Sequence, residues 1–593
     1  MKTNSPMKIL PFPLPGWSII FFLVFFIHQI PAQRLARDLQ VEVMINQGGY
    51  LPQSSKQCQI PGSSEKTFEV VEVTSRQVVY KGTTTAAGTD LGMYTTGDFS
   101  SLARPGHYYV RADTLRSYPF EISSQVYRNP QDLIFSYFSK QRCGGSATGY
   151  MTPCHLDDGI RMDNGKHMNV TGGWHDASDL RKWVGATIYG MLGLVRAYEK
   201  NEARQAGILE ELKWGNQYFL AMQEPEGYVM SFIGGDVEKH SDSNRWTDNE
   251  TGPEEGELKM VRPNAGTSMA DMLIRGNKDD RIIRTDPLDL TGQFNFITAE
   301  ALMAGITKKT DRAYSARCLA AAQNCFQWCI QKDYLQNPGV IGAALQAALE
   351  LHKVTGDKQY LDFAIALASD LKAYQAKGEP GGFFYDSDTS QTPYHNIWNG
   401  CQHLIALCDL ALAFPKHPDR PAWLEMIDAY TRDYLVPFTR KNAFGIVPLG
   451  LFQNPEKGGR QAGKYSYRYF MYPEKEWWVG INSNLASAGV GLFKAAGILQ
   501  DENLKTLAQR QLDWILGANP FNSSTLVGLG YNHPKHFPGS TFLPRTPVIP
   551  GAVMNGLGGD EEDRPVIGDG WWQVSEYWTP MVAYTLWLLV ILG

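Results

Sequence analysis

From residue 130 onward the sequence repeats one pattern a dozen times, and that pattern leaves few folds open. Apolar residues return every three or four positions in "LRKWVGATIYGMLGLVRAYEK", "ILEELKWGNQYFLAMQ", "FNFITAEALMAGI", "DRAYSARCLAAAQNCFQWCIQ", "GVIGAALQAALELHKVTG", "KQYLDFAIALASDLKAYQ", "WNGCQHLIALCDLALAF", "AWLEMIDAYTRDYL", "LASAGVGLFKAAGIL", "NLKTLAQRQLDWILG" and "SEYWTPMVAYTLWLLVIL". That spacing draws one apolar face along a helix. A further helix fits "DLIFSYFSKQ". Between them run long loops rich in Gly, Pro, Asp and Trp, at 224–289, 375–397, 439–484 and 517–574. Long loops on a helical scaffold usually carry function. Paired helices in this number predict a closed double ring with a cleft at one end, and the lack of a fixed sequence period argues against a stacked solenoid.

Residues 39–124 read differently. Short alternating runs such as "FEVVEV", "QVVYKG" and "GHYYVRAD", cut by Gly, Pro and Asp, predict a small β-sandwich. Residues 1–33 have the form of an export signal: Lys2 and Lys8, the apolar run "WSIIFFLVFFI", then small Ala32 before the cut. No Cys follows that run, so no lipid anchor is indicated, and the mature chain is expected to be secreted or periplasmic. The terminal "MVAYTLWLLVILG" is too short to span a bilayer and reads as a core helix. A net charge of −6 gives no basic footprint, which argues against nucleic acid as partner and leaves a neutral substrate. The 15 Trp and 28 Tyr provide aromatic faces on which sugar rings can stack.

The densest chemistry lies in "VTGGWHDASDLRKWV", residues 170–184. Asp176 and Asp179 stand three apart, so a helix starting here would place both carboxylates on one face. Either could instead serve only as an N-cap. Near the C-terminus, "GDGWWQVSEYWTPMVAYTLWLL" sets Glu576 among four tryptophans. A carboxyl against aromatic walls is expected to hold its proton as a general acid, while the two aspartates in a polar turn stay ionised. Glycoside hydrolysis needs that division between acid and base. A capping or surface role for Glu576 is the alternative.

The stretches "GGWHDASD", "LDWILGANPFNSSTLVGLGYNHP" and "SEYWTP" resemble the landmark motifs of glycoside hydrolase family 9. "VEVMINQGGYLP", "DFSSLARPGHYYVRAD" and "SYPFEI" resemble the immunoglobulin-like module that precedes the barrel in one branch of that family. The resemblance implies an (α/α)6 barrel over 130–593 after an immunoglobulin-like sandwich over 39–124, and cleavage of a β-glucan with inversion at the anomeric carbon. It implies Asp179 as the catalytic base, Asp176 as the holder of the nucleophilic water and Glu576 as the acid. Two positions depart from the family's pattern. Its D-A-G-D motif has Ser178 in place of Gly, and the adjacent histidines and arginine that grip the sugar are replaced by His533, His536 and Arg545, spread along "GYNHPKHFPGSTFLPR". The second departure opens two alternatives: an exo-acting hydrolase of short or amino-substituted β-oligosaccharides, or a non-catalytic glycan-binding protein.

Eight cysteines in an exported chain raise the question of disulfides. Cys325 and Cys329, and likewise Cys401 and Cys408, sit on predicted helices at spacings that suit buried thiols better than bridges. Cys143, Cys154, His155 and His175 together offer two sulfurs and two nitrogens, a tetrahedral zinc set, and the same family branch is similar in carrying a structural zinc on such positions. A Cys143–Cys154 disulfide is the alternative. Trp246, His395, Trp398, Trp477 and its neighbour Trp478 are candidate substrate contacts in the loops. Calcium among Asp242, Asp248 and Glu250 is conceivable, but their spacing matches no known calcium loop.

Overall fold

A computed structural model describes residues 40–144, 159–178, 181–234, 281–453, 458–473, 478–538 and 548–593. The export-signal segment, Cys154, His155, Asp179, Trp246, Trp477, Arg545 and the calcium candidates Asp242, Asp248 and Glu250 lie outside the described residues.

The N-terminal region is built from β1 (Gln40–Val43), β2 (Gln57–Pro61), β3 (Thr67–Glu72), β4 (Val78–Thr83), β5 (Thr85–Ala86), β6 (Tyr94–Asp98), β7 (Gly106–Ala112), β8 (Leu115–Ser117) and β9 (Phe120–Ile122). One sheet has the order β1-β8-β7-β3-β4 with β9 also on β7, and the other the order β2-β6-β5. Tyr108, Val110 and Ala112 of β7 alternate into a core shared with Val43, Ile60, Phe68, Val70 and Phe120. This is the two-residue period of a strand with one buried face.

The remainder forms a double ring. Its helices are α1 (Arg128–Lys140), α2 (Val184–Lys200), α3 (Gln205–Ala221), α4 (Leu290–Thr307), α5 (Arg312–Cys329), α6 (Pro338–Thr355), α7 (Lys358–Ala373), α8 (Gln402–Ala413), α9 (Arg420–Asp428), α10 (Asn482–Leu499), α11 (Glu502–Ile515) and α12 (Thr579–Leu592). The even-numbered helices pack in a closed circle, α2-α4-α6-α8-α10-α12 and back to α2, and the odd-numbered ones line its outside. Composition assigns the layers. Every residue of α12 from Thr579 to Val590 is buried, as is α6 from Pro338 to Leu351. On the outer α5, only Ser315, Cys318, Ala321, Ala322, Cys325, Phe326 and Cys329 face inward, one stripe at helical spacing. Cys325, Cys329, Cys401 and Cys408 are buried thiols without disulfides. Among the described residues no helix is long and apolar enough to cross a membrane.

Inner and outer helices alternate along the chain, so the inner six run parallel and their N-termini collect at one end. Connections from inner to outer helices are short, such as 356–357 and 500–501, whereas five of the six leading into inner helices are long loops. Among the described candidates, Asp176 and Glu576 sit at the N-terminal end of the inner ring, beside the start of α12.

One expectation fails here. Among the described residues no helix begins just after Asp176. Residues 176–178 form bends, Lys182–Trp183 make strand β11, and α2 starts only at Val184. β11 belongs to a sheet with β10 (Ile160–Arg161), β12 (Met230–Gly234) and β13 (Ile282–Pro287), ordered β10-β13-β12-β11. Pairing of Lys182 with Ile233 across the sheet overrides the local helical pattern.

Candidate active site

Two glycines set up the turn. Gly172 and Gly173 have φ of +88° and +73°, where a side chain is strained, and a Cβ on Gly172 would lie 1.9 Å from Gln217 Nε2. Beyond them, Trp174 pairs in antiparallel fashion with Arg142, with the Cys143 N–H donating to Gly173 O and the His175 N–H to Gln141 O, both at 2.9 Å. Arg142 and Trp174 reach the same carboxylate: Glu211 accepts from Arg142 Nε at 3.1 Å and Nη2 at 2.8 Å, and from Trp174 Nε1 at 2.7 Å. Strand alternation then puts Cys143 and His175 together on the opposite face of this ladder, and both are buried. The Cys143 sulfur also faces Arg281 Nη2 at 3.8 Å.

The next residue is Asp176. Its Oδ1 accepts from the Trp183 N–H at 3.0 Å, and its own N–H donates to Arg181 O at 3.1 Å, which closes residues 176–183 into a loop. Its carbonyl accepts the N–H and hydroxyl of Thr579, at 3.0 and 3.1 Å, tying the loop to the first turn of α12. Lys182 Nζ donates to the carbonyls of Val170 and Gly172 at 2.7 and 2.9 Å. Asp179 falls inside this loop, outside the described residues.

Glu576 comes from the other end of the chain. A four-residue helical turn, Trp572–Ser575, precedes it, and its carbonyl accepts the Asn555 N–H at 2.7 Å. Asp176 and Glu576 are each only 8 % exposed. The Ser178 hydroxyl donates to Glu576 Oε1. Burial pushes the Tyr137 phenol of α1 well above its usual value, and the negative charges of Asp176 and Glu576 push it the same way, so both carboxylates act on one ring. Two acids 400 positions apart in sequence thus meet over the N-terminus of α12.

The tryptophans around Glu576 divide. Trp578 stacks on Trp398 with centroids 5.1 Å apart and on Trp572 at 5.9 Å, so three nearly parallel indoles flank the acid's segment. Trp571 is exposed, while Trp587 lies along α12 against Tyr584 and forms no wall of the acid. Trp398 is thereby joined to the site. His395 instead packs on Phe452, and Trp478 is buried edge-on to Trp571. Two contributors had no mark in the sequence, the Tyr137 phenol and the Ser178–Glu576 contact, while His536, singled out there, stacks its ring on Tyr577 at 5.8 Å. Only the composition of "SEYWTP" pointed to the indole stack.

The model of glycosyl hydrolase family 9 matches residues 127–577, which include both carboxylates. The chain belongs to glycosyl hydrolase family 9. The family's cellulase N-terminal ig-like domain matches residues 38–117. Endoglucanase D of Acetivibrio thermocellus is 25 % identical over 559 residues, covering 86 % of this chain and 76 % of that protein. The crystal structure of a mutant thermostable endoglucanase from Alicyclobacillus acidocaldarius superimposes with a TM-score of 0.66 at 19 % identity, over 93 % of this chain and 99 % of that one. A zinc-binding triple mutant of the family 9 endoglucanase J30 gives a TM-score of 0.63 at 22 % identity, over 91 % and 99 %. The (α/α)6 barrel behind an immunoglobulin-like module is the family's architecture, and the chain is a glycoside hydrolase by membership.

Proposed function

We propose that this family 9 enzyme is an exported endo-β-1,4-glucanase that inverts the anomeric centre, with Asp179 as base, Asp176 as holder of the attacking water and Glu576 as acid. The convergence of Asp176 and Glu576 over one end of the ring carries the reading, together with the names of its endoglucanase relatives. In an inverting hydrolase one carboxylate removes a proton from water while a carboxylic acid on the opposite face protonates the departing oxygen, the two lying about 6.5–9.5 Å apart. Asp176 is fixed through its Oδ1 and its carbonyl, the rigidity that a residue orienting water requires. The stack of Trp398, Trp578 and Trp572 offers an aromatic wall along the cleft. Trp246, Trp477, His395 and Arg545 remain proposed substrate contacts.

Cys143 and His175 fit half of a tetrahedral zinc set: both are buried on one face of the same ladder, and Arg281 stands by the sulfur. With Cys154 and His155 they would hold a structural zinc that pins the segment entering the catalytic turn. The chemistry the metal supplies is cross-linking alone. Calcium is a weaker proposal with no residues assigned.

Digestion of cello-oligosaccharides with products followed by NMR tests the reading. The initial product should be the α-anomer from internal cleavage; initial release of the β-anomer, or of one short sugar from chain ends alone, would overturn it.

A further inference from the structure

We propose that Ser178 is a positioning residue for the general acid, its hydroxyl donating to Oε1 of Glu576 and so dictating which carboxyl oxygen carries the proton toward the substrate. This rests on Glu576 being the acid, as read above. The pattern this chain resembles has Gly at the position, which can donate no such bond. Here the two residues lie 398 apart in sequence and meet in a buried setting, Ser178 being 1 % exposed.

The surrounding bonds hold both partners still. The carbonyl before Ser178, that of Ala177, accepts Gln141 Nε2–H at 2.7 Å, and the Asp176 carbonyl is held by Thr579. On the other side the Glu576 carbonyl accepts the Asn555 N–H. A protonated carboxyl has one bare oxygen and one hydroxyl. A bare carbonyl-type oxygen is the better acceptor, so a hydroxyl donating to Oε1 favours the proton on Oε2. When that proton leaves for the glycosidic oxygen, the same bond ends on a carboxylate and strengthens. Ser178 therefore supports the acid more after transfer than before, which is the condition for lowering the barrier rather than merely tightening the ground state.

Among the described residues, titratable groups near Glu576 include Asp176 of the turn, Tyr137 of α1 and His536, stacked on the adjacent Tyr577. Substituting Ser178 alters none of their charges. Loss of a bond to the charged form makes the acid hold its proton to higher pH. The basic limb of the pH profile of kcat/KM should thus move up by about one unit in Ser178→Ala.

The experiment compares wild type, Ser178→Ala and Ser178→Gly on two substrates: an unactivated cello-oligosaccharide, and its 2,4-dinitrophenyl glycoside, whose leaving group departs without a proton. Both variants should lose about tenfold in kcat/KM on the first, shift the basic limb upward, and lose less than about twofold on the second. Equal losses on both substrates would show a merely structural role and overturn the proposal, as would an unmoved basic limb. Ser178→Gly keeps the test open if the alanine variant folds poorly, because glycine is the residue of the family pattern. Glu576→Gln run beside them separates the two levels: if it too spares the unactivated substrate, the assignment of the acid has failed, not only the role of Ser178.

Discussion

Glu211 is the keystone of the ladder that leads into the turn carrying Asp176, and its replacement by alanine should destabilise the protein by about 3–5 kcal/mol. The magnitude follows from its partners. The carboxylate receives Arg142 through two nitrogens and the indole N–H of Trp174, and the side chains of Glu211 and Arg142 are only 9 % and 18 % exposed. Removing Glu211 leaves Arg142 with only the more distant, exposed Glu210 at 3.6 Å, so most of the cost of breaking a buried pair, about 3–5 kcal/mol, remains. Stranding the Trp174 N–H accounts for about 1–3 kcal/mol of that. Changing both partners, Arg142→Met with Glu211→Leu, removes the stranded charge and should recover all but the indole's share. Because Trp174 lies two residues before Asp176, Glu211→Ala should also lower kcat/KM by ten- to a hundredfold, the scale on which an ångström of misplacement acts. Urea unfolding followed by fluorescence, alongside initial rates on cello-oligosaccharides, measures both. An unfolding midpoint equal to wild type in Glu211→Ala, or a double variant no more stable than the single one, would refute the argument.

Asp179→Asn and Glu576→Gln should each remove most turnover, by at least about a hundredfold, with unfolding midpoints unchanged; near wild-type rates in either would end its assignment. His175→Ala should lower both thermal stability and activity, excess zinc should not restore them, and metal analysis with a thiol count should give one zinc and no Cys143–Cys154 bridge in the parent protein. Burial lowers the His403 imidazole, inside the ring, to about 3. Below its ordinary value of about 6.5 the unfolded chain gains a proton the folded one refuses, so stability is full above about 6.5 and falls as pH drops toward 3, by up to about 1.4 kcal/mol per unit. Unfolding midpoints of His403→Asn between pH 7 and 4 should show a shallower decline than wild type; identical slopes would refute it.

The ring was legible in the sequence because a helix writes its buried face locally. The stripe on α5 and the largely apolar α12 need no distant information. The turn before α2 was not legible in the same way. "LRKWV" has the spacing of a helix start, yet Lys182 and Trp183 are claimed by Ile233 and Phe232, some fifty residues on. Asp176 and Glu576 were visible as residue types, whereas the Ser178–Glu576 bond and the Trp398–Trp578 stack join positions that no periodicity links. The contact of His395 with Phe452 is of the same kind, joining two segments that no local pattern links.

The way the sandwich is seated has a consequence for anyone exchanging parts between such enzymes. Asn46 donates its amide to Asp513 at 2.9 Å, and Gln47 donates to Asn522 O at 2.7 Å and accepts the Tyr531 N–H at 2.7 Å. On a second footing, the Asp90 N–H donates to Lys441 O and its side chain accepts the Tyr467 hydroxyl at 2.6 Å. Asp513 is buried on α11, which packs on α10, and the N-terminal Ser483 of α10 holds the carbonyl of Trp398. The module is therefore wall rather than attachment. Cutting it away would bare the Asp513–Arg510 pair to water and uncover Leu516 and Leu529, against which Gly48 lies. A chimera that keeps this barrel should keep its own sandwich, with the crossover placed before residue 40 rather than between the two domains.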